Sequence, residues 1–370
     1  MQAPLRLLRA ARMGAPPGLL LAAAVSTAVF VATPISLSSI AERFDVGSGT
    51  AGIFSAAQLG MFVLASWSAG RFMVASARGF RLALVVLSAA NLASVVTDTF
   101  PVFVVVRGFS GMALGVLTWL AWSQVFGDED RQGDIAVVGP LAGIVASPLF
   151  GLLLEAGDDR WVFGVLAVAA LVPLAFTPDF ADAAAAPEKA ARSVAVPQAT
   201  ALIASLTLLT LGGSAVFIYS GVILIDEVGM SPGVLSLIYA ANALASVPSS
   251  RWRGRRPRAG LWLVVTAACA LALPIITQAW MAWLVLTVWG FAFWAGVPGI
   301  FTLLAERSAH PAERAGDAQA AMAAGRAVGP LLGGALVSGW SYLGLGVVGG
   351  VLMAGGGAVS LAVERRQTNR

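Results

Sequence analysis

The sequence predicts an all-α integral membrane protein of twelve transmembrane helices, arranged as two pseudo-symmetric six-helix bundles. Three observations carry the prediction. Of 370 residues, 58% are hydrophobic and 11% charged, against about 25% charged in a soluble domain; mean hydropathy is +0.84. Apolar stretches of membrane-crossing length recur along the whole chain, and its two halves repeat one another.

A bilayer core of about 30 Å needs roughly 20 apolar residues at about 1.5 Å rise each. In order, such stretches fall near 16–40, 50–69, 80–97, 101–126, 134–156 and 161–177. A second set falls near 199–224, 232–249, 259–277, 279–304, 315–337 and 340–363. Thr97-Asp98, Asp158-Asp159-Arg160 and Thr277-Gln278 are breaks that hold a turn and no more. The first stretch follows a basic run, as a signal peptide does, but it is long for one, and its removal would leave an odd number of spans. Segment 178–198, TPDFADAAAAPEKAARSVAVP, interrupts the apolar pattern with Pro, Ala and mixed charge. It is the expected cytoplasmic linker between an N-terminal half, 1–177, and a C-terminal half, 199–370.

Loop charge sets the expected orientation. With the N-terminus inside, nineteen basic residues face the cytoplasm, among them Arg6, Arg71, Arg78, Lys189, Arg251, Arg258 and Arg365. Two, Arg43 and Arg160, lie outside, and Arg107 and Arg326 remain within spans. Both termini are therefore expected in the cytoplasm. The basic pI describes loop charge and implies no nucleic-acid partner. Cys269 is the single cysteine, so no intrachain disulfide can form, and His310 is the single histidine. No metal and no cofactor is expected. No Gly-x-x-x-x-Gly-Lys-[Ser/Thr] occurs, and Lys189 is the only lysine, so ATP is not the direct energy source.

Four correspondences, each about 180–190 residues apart, relate the halves. Ala28–Val31 matches Ala215–Ile218, and Asp45-Val46-Gly47 matches Glu227-Val228-Gly229. Gly52–Ser55 matches Gly233–Ser236, and Gly139-Pro140-Leu141-Ala142-Gly143 matches Gly329-Pro330-Leu331-Leu332-Gly333. Two parallel six-span repeats imply a cavity between them and access that alternates as they rock.

At these residues the chain resembles the major facilitator superfamily over essentially its whole length. Arg107 to Gly115, RGFSGMALG, is similar to the family's fourth-helix motif. Gly139-Pro140 with Gly143 and Gly151 resembles the fifth-helix motif of export-type members. Asp159-Arg160-Trp161-Val162-Phe163 resembles a signature of drug and metabolite exporters. The loop after span 2 departs: Gly70 and Arg78 are kept, but Val74 and Ala75 replace the family's acid and its neighbour. The second copy keeps Gly254-Arg255-Arg256 with Arg251 at the acidic position. The family's cytoplasmic charge latch is therefore not expected in its usual form.

An arginine near a helix centre costs about 2.5–3.5 kcal/mol on insertion scales, so it should face protein or water. Arg107 is expected to line the pathway, sensing protonation or substrate as the resemblance implies, or else to snorkel or cap carbonyls. Gly111 and Gly115 share its helical face and permit a close neighbour. Arg326 is either a cavity cation or the partner of the turn broken at Gly329-Pro330. Acids stand at span ends: Glu155, Asp226 and Glu227 outside, Asp134, Glu306 and Asp317 inside. Two cations without deep acids favour a neutral or anionic substrate, with Glu155 or Asp317 as the acid for any proton coupling.

Further pathway candidates are Gln58, Trp119, Tyr219, Asn242, Trp289 and Trp294, with Trp289 and Trp294 placed to stack on an organic substrate. Trp122, Trp280 and Trp283 fit an interfacial belt. Gly139, Pro140, Gly143, Gly329, Pro330 and Gly333 are expected to let helices bend and pack closely as the halves rock. The leading expectation is a secondary transporter, not an enzyme, that exports a small organic compound by exchange with protons. The alternative is a facilitator or symporter of a small organic or inorganic anion. A sensor or scaffold would need an output domain, and the tails are short. The expected setting is the lipid bilayer of a bacterial inner membrane, as a monomer.

Overall fold

The computed structural model describes residues 14–125, 129–180, 195–250, 258–308 and 310–368. The N-terminal half holds α1 (Pro17–Arg43), α2 (Ile53–Phe72), α3 (Ala77–Val96), α4 (Phe100–Val125), α5 (Glu129–Ala156) and α6 (Asp159–Ala169). The C-terminal half holds α7 (Pro197–Val228), α8 (Pro232–Ser250), α9 (Ala259–Ala272), α10 (Ala279–Glu306), α11 (Pro311–Gly339) and α12 (Tyr342–Thr368). A short helix, Ser48–Ala51, leads into α2.

The helix ends follow local chemistry. Ser76 caps α3 by accepting from the Gly79 N–H at 3.2 Å, and Asp158 caps α6 by accepting from the Arg160 N–H at 2.9 Å. Proline opens α1 and α7, where the missing N–H has no helical partner to lose. Gly229, at φ +70°, closes α7 and returns its N–H to the Ile225 carbonyl. Two apolar spans change pitch at a proline. α6 gives way to a 3₁₀ segment at Val172–Phe176, which contains Pro173, and α9 to one at Leu273–Ile275, which contains Pro274. Ten of the described helical spans are long and apolar enough to cross a membrane; α8 falls below that mark, and Ala259–Ile275 is shorter. Large apolar side chains such as Leu64, Leu82, Val145 and Val168 stay exposed, as a lipid-facing wall requires.

Packing repeats with a shift of six helices. In the first bundle α2 packs on α4, α1 on α5, and α3 on α4 and α6; in the second α8 packs on α10, α7 on α11, and α9 on α10 and α12. The seam between bundles obeys the same relation: α5 meets α8, α2 meets α11, and α1 meets α7.

The end of the first bundle opposite the start of α1 holds a buried ion pair. Arg43 Nη1 donates to Asp159 Oδ2 at 2.8 Å, with side chains 6% and 0% exposed. Arg43 Nη2 donates to the carbonyls of Val95 and Thr97, and its guanidinium lies 4.6 Å from the Phe44 ring centre. The Asp159 backbone N–H donates to Ser39 Oγ at 3.1 Å. These contacts tie α1, α3 and α6 into one unit. Both residues stand at span ends, as the sequence places them, and pairing lets both ions be buried there.

Candidate substrate cavity

A cavity of about 400 Å³ lies between the bundles at mid-helix level, walled by α1, α2, α7, α8, α10 and α11. The N-terminal half contributes Phe30, Thr33, Pro34, Ser55, Leu59, Phe62 and Val63, a wall without formal charge. The Phe30 and Phe62 rings meet edge to face at 5.4 Å. The C-terminal half contributes Phe217, Asn242, Trp289, Phe293, Trp294 and Arg326 among others. Trp289 is held at 5.7 Å from the Phe217 ring, and Phe217 packs on Tyr239 at 5.5 Å.

Arg326 is exposed in this wall and makes no hydrogen bond or ion pair among the described residues. It does not cap the turn broken by Pro330. Asn242 is fixed: its Nδ2 donates to the Leu286 carbonyl of α10 at 2.6 Å. A carbonyl can only accept, so the amide orientation is set, and Oδ1 is left as the unspent acceptor.

Of the residues expected along the pathway, Asn242, Trp289, Trp294 and Arg326 come together in this wall, while Arg107, Gln58, Trp119 and Tyr219 lie outside it. Arg107, 1% exposed, sits inside the first bundle. Its Nε and Nη2 donate to Gln58 Oε1 at 3.0 and 2.6 Å, and its Nη1 donates to Asn91 Oδ1 at 2.9 Å and Ser94 Oγ at 3.4 Å. Its guanidinium lies 4.7 Å from the Phe163 ring centre. It neither snorkels nor caps carbonyls. Trp119 packs beside Gly70, within the first bundle.

Gly111 lets α4 press on α2, since a Cβ there would overlap the Gln58 carbonyl; Gly115 does the same at Phe62. Gly143 faces Ala243 across the α5–α8 seam, and Gly139 lies beside Thr27. Pro140 and Pro330 are internal to α5 and α11. Gly329 and Gly333 bring α11 onto the backbone of α7.

The cavity is sealed at the end opposite the termini. Tyr219, 0% exposed, reaches from α7 across the seam, with Oη 3.1 Å from the Gly49 carbonyl oxygen and 3.0 Å from that of Pro330. Its ring fills a socket of glycines. A Cβ on Gly52 would collide with the phenol, and one on Gly333 or Gly334 would lie 2.6 or 2.7 Å from it. At the same end Glu155 Oε1 of α5 accepts from Ser231 Oγ at 2.8 Å and from the Gly233 N–H at 3.0 Å, capping α8 of the other half. Asp317, the other boundary acid, is engaged by Arg314 Nη1 at 2.6 Å.

Sequence reasoning missed the phenylalanine wall and the tyrosine socket. The phenylalanines are indistinguishable in sequence from core, Gly52 reads only as part of a repeat, and nothing in the sequence marks Gly49.

Two six-helix bundles related by a pseudo-twofold around a central cavity define the class: a multi-pass membrane transporter fold. The chain belongs to the Major Facilitator Superfamily, whose family model matches residues 18–329. A bacterial homologue of the human lysosomal transporter Spinster, in an inward-facing and occupied conformation, superposes with TM-score 0.69 at 13% identity. That match covers 94% of this chain and 96% of the other. The inward-facing, unoccupied form gives 0.66 at 14%, covering 95% and 98%. The human organic anion transporter MFSD10 (TETRAN) gives 0.66 at 14%, covering 93% and 97%. No curated protein matches the chain in sequence.

Proposed function

We propose that this superfamily member moves a small organic anion across the membrane by alternating access, with Arg326 as the anion's anchor. The observation that carries the reading is one unpartnered guanidinium in an aromatic cavity whose described lining contains no acid. A cation within a span that faces a cavity and has no counter-ion among the described residues marks a substrate or ion pathway. The aromatic walls suit an apolar body attached to that charge. Export by proton exchange, the leading expectation from sequence, asks for an acid near the substrate, and the described wall offers none; the anion reading is preferred. One fold neighbour is by name an organic anion transporter, but at its identity that likeness lends the fold alone.

Loop charge supports termini in the cytoplasm, and the short loops suit a monomer in a bacterial inner membrane. Labelled 4-phenylbutyrate, taken up by proteoliposomes, tests the proposal. Uptake should saturate, be inhibited by other organic anions and not by organic cations, and fall at least about tenfold in Arg326→Gln, since a hydrogen bond to a charged group contributes about 1.5–3 kcal/mol. Saturable uptake indifferent to Arg326→Gln would overturn it.

A further inference from the structure

The cavity has a second polar feature, and its chemistry is the opposite of Arg326's. Arg326 can only donate hydrogen bonds. Asn242, on α8, donates one N–H of its amide to the Leu286 carbonyl, which turns the NH₂ toward α10, and its Oδ1 has no partner among the described residues. Gly290 makes room for this contact: a Cβ there would stand 2.9 Å from the Asn242 amide. Between the two polar points the wall is aromatic, from Phe217 on α7 and Trp289, Phe293 and Trp294 on α10. The facing wall from α1 and α2 carries no formal charge and presents Phe30, Leu59 and Phe62.

We infer that the transported compound is an aromatic organic anion that also carries a hydrogen-bond donor, a hydroxyl or N–H remote from its acidic group. The acid meets Arg326, the donor meets Asn242 Oδ1, and the ring lies on the α10 tryptophans. All three contacts come from the C-terminal half, so that half carries the substrate while the phenylalanines of the other half close over it. The inference rests on the anion reading above and adds Asn242 as the specificity-determining residue. A site built to accept a substrate's O–H discriminates against an analogue without it, because its own buried acceptor is then left unpaired.

The test uses the full chain in detergent and the fluorescence of its cavity tryptophans. The probes are ω-(4-hydroxyphenyl)alkanoates with two to five methylenes, each paired with its 4-methoxy ether, which keeps the oxygen and removes the donor. At the best-fitting length the phenol should bind about fivefold tighter than its ether, the effect of one hydrogen bond. Asn242→Ala should bring that ratio to about one, and Arg326→Gln should weaken phenol and ether alike.

Equal affinity for phenol and ether at every length, with both lost in Arg326→Gln, would overturn the role of Asn242 and leave the anion reading standing. Failure of every acid to bind, or binding that survives Arg326→Gln, would overturn the anion reading and this inference together. If Asn242→Ala does not fold, the phenol-to-ether ratio in the unmodified protein decides the question by itself.

Discussion

Tyr219→Phe should shift the protein toward the state open at the end opposite the termini. The substitution keeps the ring in its glycine socket and removes the hydroxyl that bridges Gly49 of one half and Pro330 of the other. The Pro330 contact is within the C-terminal half and survives opening; the Gly49 contact crosses the seam and must break. The phenol has one proton, shared between the two carbonyls when the seam is closed and free to go wholly to Pro330 when it opens. The sealed state therefore gains only the shared part of a neutral hydrogen bond, about 0.5 kcal/mol, and the open-to-sealed ratio should rise about twofold. The assay is the distance between spin labels at Asp45→Cys and Glu227→Cys, two exposed positions on opposite halves at the sealed end, with Cys269 replaced by Ala. The longer-distance population should grow by that factor. A ratio unchanged from the parent, or a shift toward the short distance, would refute the view that Tyr219 holds the seal.

Other perturbations give separable outcomes. Asp159→Asn leaves Arg43 buried without its counter-ion and should cost about 3–5 kcal/mol, read as a large fall in melting temperature in detergent; the double substitution Arg43→Met, Asp159→Leu should recover much of it. Gly111→Ala drives a Cβ into the Gln58 carbonyl, so it should part α2 from α4 and lower folded yield, whereas Ala at Gly47, where nothing stands within 4 Å, should be tolerated at that position. Glu155→Gln keeps an acceptor for Gly233 but removes the negative charge at the α8 N-terminus. It should also shift the equilibrium toward opening at the same end, measured with the same label pair.

The sequence by itself determined the class and the count. With no water in the bilayer core each span must satisfy its own backbone, so runs of about 20 apolar residues become helices whatever their neighbours; the numbered repeats then implied two bundles. Glycines 111, 115 and 333 were legible as sites of close packing. Fate was not legible for the two intramembrane arginines. Both stand in apolar helices with a glycine directly beside them, Gly108 after Arg107 and Gly325 before Arg326, and local sequence says only that each must avoid lipid. Arg107 found Gln58, 49 residues away, and Asn91, 16 away, and became part of a bundle core. Arg326 found no partner among the described residues and faces the cavity. Hydrogen bonds of that kind join side chains on separate helices, so their existence depends on which helix faces align after packing. Tertiary structure alone decided which arginine is tied into a bundle and which faces the cavity.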